Sequence, residues 1–432
     1  MLTYPNVLRV LFAALLPLLF TLGSCKEDAT PKPEYRPIVA VHGYLGSGDT
    51  WAAHFKAFSA RGYADDRLYA FDYNSLGDDA LSLTRLDAFI DEVLASTGAD
   101  QVDLMGHSKG GGLSYSYLAD PMQAAKVAHY AHIGSFRTDS AAGPSADVPT
   151  LNIWSPDDLV ISDKGDIPGA VNVSIAGADH YQIATHPDGF TALWKHFQET
   201  DQVPAATGAS GSVRIGGKAL TFGENTPLSG GTVEVWALDA QAQRLTTAAA
   251  LTLTTNADGT WGPSEMPDAP YLEFRIRAAS ASARPINYFR AAGSETDRWI
   301  YLRTIPPPLS IAGLLLASLP QDDSQTVLAV FSSSQAVLSG RDNLDVDGFD
   351  LATPTLASPD QTTIAYFLYD DGDASSSGDI NPIFAGFPFL NGVDLFFPTA
   401  APETIMLTFN GRQLPVRNLR SDTDGPIVAV FD

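Results

Sequence analysis

Three shortages bound what this 432-residue chain can be: it has a single cysteine, no histidine after residue 196, and only 26 Lys and Arg against 50 Asp and Glu. One cysteine rules out an internal disulfide, so stability in an oxidising compartment has to come from packing. The net charge of −24 leaves no basic stripe to meet phosphates, which excludes nucleic acid as a partner. It also excludes adsorption to anionic lipid through basic residues. The confinement of all eight histidines to His42–His196 means that any histidine-based catalysis belongs to the first half of the chain. With 45% hydrophobic and 18% charged residues the chain builds real cores, and its length predicts about two or three domains.

The N-terminal apolar run Val10–Leu22, preceded by one basic residue, Arg9, falls short of the ~20 residues that a bilayer span needs. It suits a signal-peptide core instead. It ends in Leu22-Gly23-Ser24-Cys25, which resembles a bacterial lipobox, with Cys25 acylated to become the new N-terminus. The expectation is a signal peptide over 1–24, a polar tether with Pro31 and Pro33 over 25–34, and an extracytoplasmic bacterial lipoprotein anchored to the outer membrane or the cell surface. Several acyl chains, at ~0.8 kcal/mol per buried CH₂, make such attachment stable.

From Tyr35 to Thr200 short apolar runs alternate with amphipathic stretches. Strands are predicted at 38–41, 68–71, 102–105, 129–133, 151–154 and 171–175, and helices at 51–61, 84–97, 113–118 and 189–197. That alternation predicts an α/β domain with a mostly parallel sheet and helices on both faces. Residues 201–212 (DQVPAATGASGS) form a small-residue linker, and beyond them 213–432 turns to period-two stretches broken by Gly, Pro, Asn and Asp. This predicts an all-β sandwich or barrel with antiparallel strands, whether as one body or two. The stretch 228–261 looks like a small transthyretin-like sandwich.

The chemistry centres on Gly106-His107-Ser108-Lys109-Gly110, placed between a strand and a helix. Such a nucleophile elbow needs glycines because the turn is sharp, and it sets the serine at a helix N-terminus where developing negative charge is favoured. Serine needs a base, and in this arrangement the order along the chain is Ser, acid, His. Asp157, which opens Asp157-Asp158-Leu159-Val160, fits the usual Asp-x-x-Val acid loop, with Asp158 as its competitor. The loop Ala176–His180 delivers His180 as the base. The backbone N–H groups of Tyr44, after His42-Gly43, and of Lys109 are the natural oxyanion donors. No metal is required by this scheme. Asn343–Gly348 and Asp370–Asp373 carry fragments of calcium-loop patterns, but position twelve of an EF-type loop counted from Asn343 is Pro354.

Together these residues resemble the α/β-hydrolase lipases and esterases. RPIVAVHGYLGS, TRLDAFIDEVLASTGADQVDLMGHSKGG, AAKVAHYAHIG and GADHYQIATHPDGF are similar to the lipase domain of archaeal-type carboxylesterase/triacylglycerol lipases with a C-terminal β-barrel, and NYFRAAGSETDRWIYLRTIPPP to that family's C-terminal domain. The resemblance implies hydrolysis of acyl esters, lipid-like substrates, an active site between the domains and a C-terminal region that engages long chains. One departure stands out: between Phe71 and Thr84 only DYNSLGDDALSL is present, where lid-bearing lipases insert many residues. A lid would then come from 136–149 or from the β region. Two other readings use the same residues: a surface-anchored binding protein whose acidic β region grips a partner, and amidase or thioesterase chemistry on the same machinery.

Overall fold

All four side chains of Ile38–Val41 (β1) are buried, as expected of a strand covered on both faces. Leu68–Phe71 (β2), Val102–His107 (β3), Val127–Ile133 (β4), Thr150–Trp154 (β5) and Val171–Ser174 (β6) complete a six-stranded sheet in the order β2-β1-β3-β4-β5-β6. Every pairing in it is parallel. Ala52–Ser59 (α1), Asp79–Thr97 (α2), Lys109–Tyr117 (α3) and Pro187–Phe197 (α4) cover it. The alternation along β1 divides two cores. Ile38 and Ala40 pack with Phe55 and Phe58 of α1 and Leu193, Trp194 and Phe197 of α4. Val39 and Val41 pack with Leu86, Ile90 and Val93 of α2 and Leu113 and Tyr117 of α3. Helix α2 begins where the Asp78 side chain accepts the Leu81 N–H and ends at Gly98, whose φ of +66° suits a left-handed cap.

This computed structural model describes residues 35–207, 212–279, 284–384, 386–400 and 403–432. The leader 1–24, Cys25, the tether and part of the 201–212 linker lie outside them. Among the described residues no helix is long and apolar enough to cross a membrane.

The C-terminal β region departs from the antiparallel expectation. Its central sheet has eight strands, and three of its pairings are parallel: Ile286–Ala291 with Ile427–Phe431, Leu328–Ser332 with Ile427–Phe431, and Ala365–Tyr369 with Leu390–Asp394. Strand 427–431 sits in the middle and joins strands from 232–291 to strands from 328–394. Strands from both stretches therefore share one continuous sheet, and the region is not two separate bodies. Its side chains alternate between two cores, as a period-two strand must. Ile427, Ala429 and Phe431 pack with Leu407, Phe409 and Leu414 of a four-stranded sheet. Val428 and Val430 face the other way, toward Ile215, Trp261 and Ile300 of a three-stranded sheet. The transthyretin-like expectation over 228–261 meets this three-stranded cover: Thr260–Glu265 leaves the large sheet to pair with Arg214–Thr221.

Residues 35–432 form one compact unit, and the β region grips the parallel sheet through buried polar side chains. The Arg303 guanidinium donates to both carboxylate oxygens of Asp49, at 2.8 and 2.7 Å, and to Ser47 Oγ at 2.7 Å. Lys218 Nζ donates to Asp72 at 2.8 Å, and the Tyr301 hydroxyl donates to the same oxygen at 3.2 Å. Removing one member of a buried ion pair strands its partner. Arg303→Met is accordingly expected to cost about 3–5 kcal/mol, read from urea unfolding, with Asp49 left uncompensated. A cost under about 1 kcal/mol, the range of exposed pairs, would mean that the pair contributes no more than a surface contact.

Candidate active site

Ser108 follows β3 and precedes α3 with φ +53° and ψ −124°, a conformation that side chains rarely adopt. Such strain costs on the order of 1–3 kcal/mol and persists only where neighbours fix it. Here the Ser108 N–H donates to Ile133 O at 2.9 Å, and Ser135 Oγ donates to Ser108 O at 2.8 Å. The flanking glycines are steric necessities: a Cβ on Gly106 would meet Gly110 O at 2.5 Å, and one on Gly110 would meet Val41 O and His42 O at 2.3 Å.

His180 lies 72 residues later and reaches the serine, with Nε2 at 2.8 Å from Ser108 Oγ. Its Nδ1 stands 2.7 Å from Asp158 Oδ2. The expected acid was Asp157, and the structure assigns this contact differently: Asp157 is exposed and accepts the Gly177 N–H at 2.6 Å, whereas Asp158 is 1% exposed. The turn after β5 explains the difference. Ser155 Oγ accepts the Asp157 N–H, and the Ser155 hydroxyl donates to Ala178 O, which leaves the next residue facing inward. Burial raises the Asp158 carboxyl, but its hydrogen bond and charge interaction with His180 and the N–H groups of Val160 and Ile161 outweigh this and hold it below the usual carboxylate range. It therefore stays ionised at neutral pH beside the imidazole.

His107, inside the elbow motif, has a part that the motif does not advertise. Burial pushes its imidazole down to about 3, so it is neutral, and its Nε2–H donates to the His180 carbonyl at 2.8 Å. The residue before the serine thus fixes the backbone of the residue that contacts the serine. Asp179 steadies the same loop from the other side. It accepts from the Tyr181 and Gln182 N–H groups, and also from Arg341 and the Ala336 N–H of the β region.

Tyr44 and Lys109 both line the cleft into which Ser108 opens, together with Phe136, Val160 and Phe389. Among the described residues neither backbone N–H of this pair is engaged by an acceptor. Gly43 brings its loop against the elbow: a Cβ there would stand 3.0 Å from Ser108 Cβ. His42 braces the loop, with Nδ1 2.8 Å from Gly43 O and Nε2 accepting from Tyr73 N–H and from Asn225 Nδ2. Asn225, 183 residues away in the β region, also donates to Gly46 O and Tyr73 O. The Lys109 ammonium turns aside to Ser75 O and Asp79, at 2.8 and 2.9 Å. The short 72–78 segment serves here as a support, with Ser75 Oγ accepting the Leu45 N–H.

The remaining histidines serve elsewhere. His129 bridges Asp103 and Glu199, and burial keeps His132 down to about 4. His186 caps α4, and His196 meets Pro149 O. Of the calcium-like fragments, Asn343–Gly348 forms a hairpin turn in which Gly348 N–H donates to Asp345. Asp370 and Asp371 come close to Asp394, but Asp370 and Asp394 also accept from nearby N–H groups, as turn carboxylates do.

Comparison with known proteins covers both halves. Residues 35–119 match the family Lipase (class 2), residues 211–307 match the Lipase C-terminal domain, and a further C-terminal domain family matches 330–432. Solved structures overlap the parallel-sheet part. A predicted CIB-like hydrolase from Thermoplasma acidophilum is 21% identical over 38% of this chain and 87% of its own, with a TM-score of 0.29. The carboxylesterase CesB from Bacillus subtilis is 14% identical over 39% and 85%, with a TM-score of 0.30. The Bacillus licheniformis lipase BlEst2 is 18% identical over 36% and 89%, with a TM-score of 0.29. With the lipase families matched on the parallel sheet and on the region behind it, this chain is an α/β-hydrolase of the lipase/esterase kind with a C-terminal β region, a serine ester hydrolase.

Proposed function

We propose that the chain cleaves carboxylic esters of lipid-like substrates through a Ser108–His180–Asp158 triad and an acyl-enzyme. The observation that carries this reading is the continuous line from Ser108 Oγ to His180 Nε2 at 2.8 Å and from His180 Nδ1 to Asp158 at 2.7 Å. His180 takes the serine proton as Oγ attacks the ester carbonyl. Asp158 orients the imidazole and stabilises the cation that forms without taking its proton. The N–H groups of Tyr44 and Lys109 receive the oxyanion, His180 returns the proton to the departing alcohol, and water then cleaves the acyl-serine by the same route. Acylation at Cys25, downstream of a cleaved leader, would tether the enzyme at a membrane surface.

A fluorophosphonate probe tests the assignment directly. The native protein is expected to be labelled at Ser108 and to hydrolyse p-nitrophenyl butyrate, with both signals absent in Ser108→Ala. A native protein that takes no label and turns over no ester would leave the surface-binding reading standing instead.

A further inference from the structure

Asn225 reaches into the catalytic half from the turn that follows strand Arg214–Thr221 of the β region. It is 4% exposed, and its φ of +55° lies in the left-handed region, which asparagine tolerates better than most residues. The turn closes on its own backbone: the Asn225 N–H donates to Thr221 O at 3.1 Å, and the Thr221 N–H donates to Thr226 O at 2.9 Å. The side-chain amide is free to serve elsewhere. Its Nδ2 lies 2.9 Å from both Gly46 O and Tyr73 O and 3.1 Å from His42 Nε2. Turning the amide over would set its oxygen against two carbonyls, so the nitrogen must face them. Oδ1 is thereby left buried with no partner among the described residues. A stranded acceptor is costly, which raises the question of what the three donations achieve.

They settle where the His42 proton sits. His42 Nε2 faces two donors, the Asn225 amide and the Tyr73 N–H at 3.3 Å, so it carries the lone pair. The ring is fully buried, and burial lowers its pKa below the ordinary histidine value, which keeps it neutral. The single proton is therefore on Nδ1, which donates to Gly43 O at 2.8 Å. That carbonyl also accepts the Gly46 N–H at 3.2 Å. Across a trans peptide the C=O and the following N–H point in opposite directions. Holding Gly43 O against His42 thus turns the Tyr44 N–H away from the ring, on the loop that Gly43 brings against Ser108.

We propose that Asn225 is a positioning residue for the reaction: it fixes the His42 tautomer that orients the Gly43–Tyr44 peptide, and so aims the Tyr44 N–H at the oxyanion. The β region then holds one half of the oxyanion hole ready before substrate arrives, through a side chain 183 residues from the histidine it controls. This rests on the ester-hydrolase reading above and adds to it what sets the oxyanion donor.

Asn225→Asp is the sharpest test, because aspartate has the same shape and tolerates the same backbone but offers Nε2 an oxygen in place of an N–H. The carboxylate is expected to draw the His42 proton to Nε2, leaving a bare Nδ1 opposite Gly43 O. Nitrogen-15 NMR of the histidine-labelled full chain reads this directly, with the His42 signals assigned by their absence in His42→Gln. The native chain is expected to show a protonated Nδ1 and a bare Nε2, and the variant the reverse. Alongside, kcat on p-nitrophenyl butyrate is expected to fall about 10²-fold with KM little changed, as when one oxyanion donor is lost. A residue that only tied the β region in place would lower Tm and leave both the tautomer and the kcat of the folded enzyme alone. Asn225→Gly, which keeps the backbone and drops the amide, is expected to lower kcat in the same direction, and it gives the reading should the aspartate variant fold poorly. A native His42 protonated on Nε2, native kcat in both Asn225 variants, or a fall in kcat with the tautomer unchanged in Asn225→Asp overturns this proposal alone. Absence of butyrate turnover in the native chain overturns the ester-hydrolase reading, and the oxyanion role with it.

Discussion

Asp158→Asn is expected to lower kcat on p-nitrophenyl butyrate by about 10⁴-fold, because an amide on Nδ1 leaves the imidazole in the wrong tautomer to accept the serine proton. Asp157→Asn, one residue away, is expected to leave kcat close to native. The contrast follows from burial and partners. Asp158 is enclosed, bonded to His180 and supported by two backbone N–H groups, while Asp157 is exposed and accepts the Gly177 N–H. Saturation kinetics on both variants decide the matter. Equal losses, or a larger loss at Asp157, would mean that the loop rearranges before reaction and that the contact described here is not the working one.

Ser108→Ala is expected to reduce kcat by about 10⁶-fold, with the fold and KM little changed, since the hydroxyl is the only group lost. Adding His180→Ala to that variant should cost almost nothing more, because the two side chains act as a unit. Thermal unfolding offers an independent check. The Ser108 backbone is held in its strained conformation by Ile133 and Ser135, contacts that the substitution leaves in place. A residual turnover only tenfold below native would point to a different nucleophile.

Much of the catalytic half is written locally. Parallel strands covered on both faces must be nearly unbroken apolar runs, and the predicted runs at 38–41 and 68–71 coincide with β1 and β2. The elbow is equally legible because its glycines answer contacts within the same turn or with β1. The choice between two consecutive carboxylates was not legible from Asp-x-x-Val. It depends on how Ser155 bonds across to Ala178, and a step of one residue reverses which side chain points inward. His107 could have been suspected, since it is fixed in the elbow, but its partner is a carbonyl 73 residues away. Asn225 and Arg341 carry no local signature, because each acts across the junction between the α/β part and the β region. The mixed sheet was missed for a related reason: period-two patterning reports which face is buried and says nothing of strand direction.

The position of strand 427–431 governs the order in which the molecule is assembled. As the chain is made from its N-terminus, strands 286–291 and 328–332 emerge long before the segment that pairs with both. Until it arrives they present open edges, which are templates for pairing with other chains. Contacts spanning about 140 residues also close slowly. Aggregation is therefore a hazard mainly during that interval, and a chain cut short before residue 427 would never leave it.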